Sequence, residues 1–124
     1  MFKKEITYTD YNGVKRTENF YFNLSRPKLM SMSKLFTEFE QASKTNDNDT
    51  MAKLFVEIIL KAYGEKSEDG IHFRQNEQIS NDFANTEAFN VLFTELTSDP
   101  NALQSFFRAL IPNDLQNAAS LPTV

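Results

Sequence analysis

The hydrophobic pattern of the chain changes its period near Ser25, and this change constrains the fold more than any other feature of the sequence. Before Ser25, the apolar residues alternate with polar ones, as in strands with one buried face; they are Phe2, Ile6, Tyr8, Phe20, Phe22 and Leu24. After it, apolar residues recur every three or four positions, which is typical of amphipathic helices. We therefore predict an α+β fold, mainly α, with an N-terminal β-hairpin followed by four to five short helices in a compact bundle.

The turn of the predicted hairpin lies at Asn12-Gly13, because glycine tolerates the positive φ that tight turns require. A two-residue loop would pair Tyr11 with Val14 and place even-numbered residues opposite odd-numbered ones. A three-residue loop from Tyr11 to Gly13 pairs Asp10 with Val14 and keeps the apolar side chains on one face. We predict the three-residue loop, with Gly13 in the left-handed region.

The first half of the helical part reads as two helices. Ser25 is suited to cap the first helix, Pro27 is tolerated in its first turn, and the pattern fades near residues 42–45. Asp49, the last residue of a polar connector, is predicted to cap the second helix. Gly64 is expected to end that helix at the position after its C-cap.

The second half reads as a loop, a short helix and two longer ones. Residues 65–75 are rich in turn-forming residues and are predicted to be a loop, followed by a short helix over about residues 76–83. Thr86 is predicted to cap the next helix, and Ser98-Asp99-Pro100 resembles a cap followed by proline at the first helical position.

A chain of 124 residues fits one domain. We assign residues 1–112 to it, with the hairpin over 1–24 and the helical part over 25–112. Residues 113–124 show no periodic signal and are predicted to be a flexible C-terminal tail.

Composition and charge argue against several classes of function. The net charge is −4 and basic residues form no block, which disfavours nucleic-acid binding. The absence of cysteine excludes disulfides and thiolate metal sites. No apolar run is long enough for a signal peptide or a membrane span, so we expect a protein that stays in the compartment where it is made.

No residue pattern nominates a catalytic centre, a metal site or a cofactor site. His72 is the single histidine, and it lacks partners at the spacing of a catalytic pair or a metal set. The segment from Asn46 to Thr50 superficially resembles a calcium loop, but the glycine and the final glutamate of such loops are missing. We predict that the protein is not an enzyme.

The remaining candidates lie on two phenylalanine-rich helices. Their apolar residues have two readings, as core or as the wall of a groove that binds an amphipathic partner segment. An exposed phenylalanine forfeits on the order of 2 kcal/mol of burial, so a groove requires a partner to cover it. The candidate partner-binding residues are Phe89, Leu92, Phe93, Phe106, Phe107 and Leu110.

Three blocks of the chain resemble the tail assembly chaperones of long-tailed phages (siphoviruses) of Gram-positive hosts. The first comprises Phe2-Lys3-Lys4-Glu5-Ile6-Thr7-Tyr8-Thr9-Asp10-Tyr11-Asn12-Gly13 with residues 20–25. The second comprises Leu60-Lys61-Ala62-Tyr63-Gly64-Glu65-Lys66-Ser67 with Asp69-Gly70 and Phe73. The third comprises Thr86-Glu87-Ala88-Phe89, Leu92-Phe93, Glu95-Leu96, Phe106 and Ile111-Pro112. Together they span nearly the whole chain in order, whereas residues 30–48 match the family poorly.

The resemblance implies a non-catalytic protein that binds the tape measure protein and keeps it soluble during tail morphogenesis. It implies a location in the host bacterial cytoplasm, in an infected cell or from a prophage, and absence from the mature virion. In such phages a frameshift yields a longer form that recruits major tail tube subunits, and this chain would be the shorter form. Homo-oligomerisation stays open, and the alternative function is a minor structural or tail completion protein of the virion.

Overall fold

A computed structural model of the protein describes residues 1–110. Within these residues helices take 58% and strands 20% of the chain, so the fold is α+β and mainly α. The elements are β1 (Phe2–Thr9), β2 (Lys15–Phe22), α1 (Arg26–Ser31), α2 (Ser33–Lys44), α3 (Asn48–Ala62), β3 (Tyr63–Lys66), β4 (Phe73–Arg74), α4 (Glu77–Ala84), α5 (Glu87–Ser98) and α6 (Pro100–Leu110). The predicted tail, residues 113–124, lies outside the described residues.

The N-terminal hairpin has the predicted register and the predicted loop. Strands β1 and β2 pair antiparallel, with Phe2 opposite Phe22 and Ile6 opposite Glu18. The Asp10 N–H donates to the Val14 carbonyl at 2.9 Å, which closes a three-residue loop. Gly13 has a φ of 82°, a conformation that glycine adopts without steric cost.

The half of the hairpin that carries the loop is stabilised by polar contacts between its strands, in addition to the packing of Tyr8 against the core. We call residues 7–19 the arm. Its side chains bond across the two strands: the Arg16 Nε donates to Asp10 Oδ2 at 2.6 Å, and the Tyr8 hydroxyl donates to Glu18 Oε1 at 2.5 Å. The hydroxyl groups of Thr7 and Thr17 lie 2.9 Å apart. These contacts hold the two strands together.

The other half of the hairpin packs on the helices and forms the core with them. The sheet order is β1-β2-β3-β4, and its apolar face meets α5 and α6. The Phe106 ring lies 5.1 Å from that of Phe2 and 5.5 Å from that of Phe22, both edge-on. At the surface, Lys4 Nζ of β1 forms an ion pair with Glu95 Oε1 of α5 at a distance of 2.7 Å. Because the sheet and the helices share this core, the hairpin buries its apolar side chains, which an isolated hairpin leaves exposed to water.

The first predicted helix is wrong as one continuous helix, because the chain breaks it at Met32 into α1 and α2. The Ser25 side chain caps α1, as predicted, and accepts from the Lys28 N–H at 3.4 Å. The Ser31 hydroxyl donates to the Lys28 carbonyl at 2.7 Å, in addition to the Met32 N–H at 3.1 Å, and such back-bonding by serine often bends a helix. The break points the Met32 side chain into the core, where it is 3% exposed.

The predicted cap of α3 is wrong by two residues. Asp47 caps the helix: its carboxylate accepts from the Thr50 N–H at 3.2 Å and from the Thr50 hydroxyl at 2.6 Å. Asp49 lies in the first turn, where a negative charge is favourable near the positive end of the helix dipole.

The predictions for Gly64 and for residues 65–75 are also wrong. Gly64 is not a left-handed helix terminator; it lies in β3 opposite Tyr21, and a Cβ there would come within 2.6 Å of the Phe73 ring. Residues 65–75 contain a second hairpin, in which β3 pairs with β4. Glycine at this position therefore permits close packing between a strand and an aromatic ring.

The caps of α5 and α6 agree with the predictions, whereas the cap of α4 was not predicted from the sequence. The Asn76 side chain accepts from the Ile79 N–H at 2.8 Å at the start of α4. The Thr86 hydroxyl accepts from the Phe89 N–H at 3.2 Å at the start of α5. Asp99 precedes Pro100, the first residue of α6, and accepts from the Asn101 N–H at 3.0 Å. None of the helices within residues 1–110 combines the length and the hydropathy of a membrane-spanning segment.

Candidate functional site

Four of the six candidate partner-binding residues lie inside the core. Leu92, Phe106, Phe107 and Leu110 are at most 4% exposed. The Phe107 ring packs edge-on against the Phe39 ring at 5.6 Å. For these four residues the structure favours the core reading, because a partner cannot reach them without opening the fold.

The other two candidates, Phe89 and Phe93, are half-buried on α5. The Phe93 ring contacts the buried Phe55 ring at 6.1 Å on one side and the Phe89 ring at 6.2 Å on another. Phe89 also meets Phe83 edge-on at 5.5 Å. Phe93 therefore has one face in the core and another available at the surface.

An apolar groove opens beside Phe93, between four helices. Its volume is about 470 Å³. The ten described residues that line it are Phe39 of α2; Asn48, Met51, Ala52 and Phe55 of α3; Phe93, Leu96 and Thr97 of α5; and Pro100 and Leu103 of α6. None of the ten is charged. We call this feature the apolar groove.

Two of the capping residues, Asp47 and Asp99, determine where the helices that line the apolar groove begin. Asp47 starts α3 at Asn48, so the first turns of α3 carry Met51 and Ala52 along one wall. Asp99 ends α5 and starts α6 at Pro100, which lines the groove's other side together with Leu103. Two short connections thus bring two helix starts to one opening.

The apolar groove has a buried floor and an exposed rim. Phe39, Phe55 and Leu96 are 2–3% exposed and form the floor. Met51 is half-exposed at the rim, and its unbranched side chain adapts to differently shaped neighbours. Such a surface can take up apolar side chains from one face of a partner helix, and it offers no charged group for acid–base or phosphate chemistry.

A second hollow, of about 380 Å³, differs from the apolar groove in its chemistry. It lies between α1, α3 and α4, and its lining includes Lys28, Lys61, Glu57 and Glu77. Burial and the nearby Lys61 charge lower the pKa of Lys28. Charges of both signs line this hollow, so it is a poorer candidate for binding an apolar segment.

The structure places the other residues considered for chemistry in ordinary structural roles. His72 is exposed, and its backbone N–H donates to the Ser67 hydroxyl at 3.0 Å within the turn of the second hairpin. Asp47, in the segment that superficially resembles a calcium loop, is the cap of α3. Within residues 1–110, no group of three or more His, Asp or Glu side chains is placed to hold a metal ion.

Of the six candidate residues, Phe93 lines the apolar groove, and the other residues that line it were not predicted from the sequence. Met51 and Phe55 belong to a broad apolar stripe on α3 that reads as core in the sequence. The sequence feature that could have indicated the groove is the width of this stripe. Ala52 extends the stripe, and it remains exposed in the structure.

Comparison with known proteins places the chain in a family. The family model described as phage tail assembly chaperone matches residues 1–122. No curated protein and no solved structure matches the chain. Since the family model covers nearly all of the sequence, the chain belongs to the phage tail assembly chaperones.

Proposed function

We propose that the protein binds apolar segments of the phage tape measure protein in the apolar groove and keeps that protein soluble until the tail tube assembles around it. The observation that carries the proposal is the lining of the groove, in which none of the ten described residues is charged. Membership of the tail assembly chaperones supplies the biological setting.

The chemistry of the groove suits a helical client. A helix that presents apolar side chains at positions i, i+3 and i+4 matches a groove between helices in width and in polarity. The half-exposed Met51 gives adaptable contacts beside the half-exposed Phe93 ring, so one groove can accept many different apolar segments. A chaperone of a long protein needs this tolerance.

A long helical client also explains the small size of the protein. Each residue of a helix advances the chain by about 1.5 Å, so a long tape measure protein offers many successive sites. Single contacts that are weak permit release, while many bound copies together protect the client. The net charge of −4 keeps the coated complex soluble.

The rest of the proposal follows the tail assembly chaperones. The chain acts without catalysis in the host bacterial cytoplasm and is left out of the mature virion. Recruitment of tail tube subunits belongs to a longer frameshifted form, of which this chain is the shorter version. Detection of this chain in purified virions by mass spectrometry would favour the alternative function, a minor structural or tail completion protein.

The experiment that tests the proposal is coexpression with the tape measure gene of the same locus. We expect the soluble fraction of the tape measure protein to rise and a complex to copurify. A tape measure protein that stays insoluble and forms no complex would count against the proposal.

Variants with one new carboxylate test whether the apolar groove is the binding site. Thr97→Asp and Ala52→Asp introduce a charge on opposite walls, at exposed positions where the fold tolerates it. Burying an unpaired carboxylate under a client is costly, so we expect at least about tenfold weaker binding.

Thr94→Asp is the matched control, because it makes the same change at an exposed position of α5 that does not line the groove. Circular dichroism establishes that all three variants are folded. Equal binding by the Thr97→Asp and Thr94→Asp variants would place the client elsewhere on the protein.

A further inference from the structure

The outer edge of β2 is open in the arm. Strand β3 pairs with β2 only at Tyr21 and Phe22. No strand among residues 1–110 pairs with the outer side of residues 15–19, and all five of these residues are exposed. Such an edge presents a row of backbone donors and acceptors to any chain that can align with it.

The hydrogen-bond pattern defines which backbone groups this edge presents. The Asp10 N–H bonds to the Val14 carbonyl, so Val14 points its backbone groups towards β1. Because the direction alternates along a strand, Lys15, Thr17 and Asn19 point theirs away from β1. The Asn23 N–H, which has the same parity, bonds outward to the Ala62 carbonyl at 2.9 Å.

The charged side chains along this edge are self-complementary between two copies of the chain. Arg16 and Glu18 flank Thr17 and lie on one face of β2. We infer that two copies of the chain pair antiparallel through β2, with Thr17 opposite Thr17 and Arg16 of each copy opposite Glu18 of the other. The outward groups of Lys15, Thr17 and Asn19 then meet, and the Arg–Glu pairs take the non-hydrogen-bonded positions, where facing side chains come closest.

The charges also select this register over its neighbours. A shift of two residues keeps the outward groups opposite each other. A shift of two residues in one direction sets Arg16 opposite Arg16 of the other copy, and a shift in the other direction sets Glu18 opposite Glu18. Like charges directly opposite each other destabilise a strand pair, so only the register about Thr17 is favourable in charge.

The contacts within the arm hold these side chains in place for the second copy. The Arg16 guanidinium pairs with Asp10 at 2.6 Å, and its Nη1 lies 3.7 Å from Glu18 Oε2 of the same chain. The Glu18 carboxylate also accepts from the Tyr8 hydroxyl. The side chains of Arg16 and Glu18 nevertheless remain 48% and 44% exposed. Both are therefore oriented on one face of the arm and open to a further partner.

The dimer is expected to be weak, because strand pairing over five residues per copy buries less than the roughly 800 Å² per partner of a standard interface. It needs no client and is therefore independent of the proposed function. When a client is bound, however, pairing joins two chaperone copies and adds avidity.

Sedimentation equilibrium of the full chain tests the inference. We expect the apparent mass to rise from 14.3 kDa towards twice that value between about 10 µM and about 1 mM. A mass that stays at 14.3 kDa over this whole range would overturn the inference.

Charge reversal distinguishes this register from other interfaces. Arg16→Glu sets Glu opposite Glu between copies, and Glu18→Arg sets Arg opposite Arg, so each variant alone is expected to remain monomeric. An equimolar mixture of the two variants restores two opposite-charge pairs and is expected to form a mixed dimer. Dimerisation of each single variant at the wild-type concentration would overturn the inference, as would a mixture that stays monomeric.

A proline tests the backbone edge without relying on charge. Thr17→Pro removes an outward N–H that does not bond to β1, a position at which a strand tolerates proline. We expect loss of the dimer with circular dichroism unchanged. Thr17→Ala is the matched control and should dimerise, because it keeps the N–H; a Thr17→Pro chain that dimerises equally well would refute the edge pairing.

Discussion

At the scale of single residues, Tyr63 shows how burial controls a titratable group. Its ring stacks on the Phe83 ring at 4.1 Å with 14° between their planes. Burial, aided by the nearby Glu65 charge, raises the pKa of the Tyr63 phenol to about 12. The unfolded chain therefore releases this proton at lower pH than the folded chain does.

We predict that Tyr63 contributes to alkaline destabilisation. The contribution of the neutral phenol is fully present below the ordinary tyrosine pKa of 10.0 and is lost as the pH rises towards about 12. Urea unfolding at about pH 8 and about pH 11 measures the loss. Between these two pH values, the free energy of unfolding should fall less in the Tyr63→Phe variant than in the wild type.

Tyr11→Phe is the control for this prediction, because Tyr11 is 74% exposed. It should keep the full alkaline loss of the wild type. The same loss in the Tyr63→Phe chain would show that other groups account for the alkaline destabilisation.

At the scale of elements, the sequence predicts those features that depend on neighbours along the chain. The caps at Ser25 and Thr86 involve residues three positions apart, so a short window of sequence contains both partners. The hairpin register follows from the parity of its apolar residues and from Gly13. These signals are local, which is why the predictions agree with the structure.

Features that depend on distant residues were missed. Gly64 looks like a helix terminator until the Phe73 ring and β2 are placed against it. Strand β4 has two residues, too few to show alternation. For the apolar groove, periodicity identifies the apolar face of α3 but not which part of that face the other helices leave uncovered.

One amide, directly after β4, joins the second hairpin to the residues at the ends of β2 and α3, and we predict that its loss is costly. The Gln75 Nε2 donates to the Asn23 and Ala62 carbonyls, both at 2.9 Å, and so ties β2 to the end of α3. Gln75→Ala leaves the partly buried Asn23 carbonyl without this donor, while the Ala62 carbonyl keeps the Asn23 N–H, and should lower the free energy of unfolding by about 1–3 kcal/mol, measured by urea denaturation.

Gln78→Ala is the matched control for Gln75→Ala. Its amide makes one exposed bond, to Asp82 at 3.1 Å on the same helix, and such pairs contribute about 0.2–0.5 kcal/mol. Equal losses in the two variants would show that the Gln75 contacts add no stability beyond a surface bond.

At the scale of the whole molecule, a single core joins sheet and helices. Ile6 of β1 and Ile58 of α3 belong to one continuous cluster of buried side chains, together with Leu92 and Phe106. Elements that share a core lose it together. We therefore expect the parts assigned to residues 1–24 and 25–112 to unfold as one domain.

Thermal unfolding followed by two signals tests this expectation. Helix content by far-ultraviolet circular dichroism and tyrosine fluorescence should give coincident transitions. Ile6→Ala should lower the free energy of unfolding by about 2–5 kcal/mol and shift both transitions equally. A shift in one signal alone would mean that hairpin and helices unfold separately.

The aromatic side chains connect the apolar groove to the sheet in an unbroken series. From Phe93 at the groove, ring contacts lead to Phe55 at 6.1 Å, on to Phe106 at 6.1 Å and then to Phe2 of β1 at 5.1 Å. Aromatic rings impose ring-current shifts on nearby nuclei, and a close-packed interior passes small displacements from one side chain to the next. A ligand that moves Phe93 should therefore change the NMR resonances of β1 without touching that strand, so the protein carries an intrinsic spectroscopic reporter of groove occupancy.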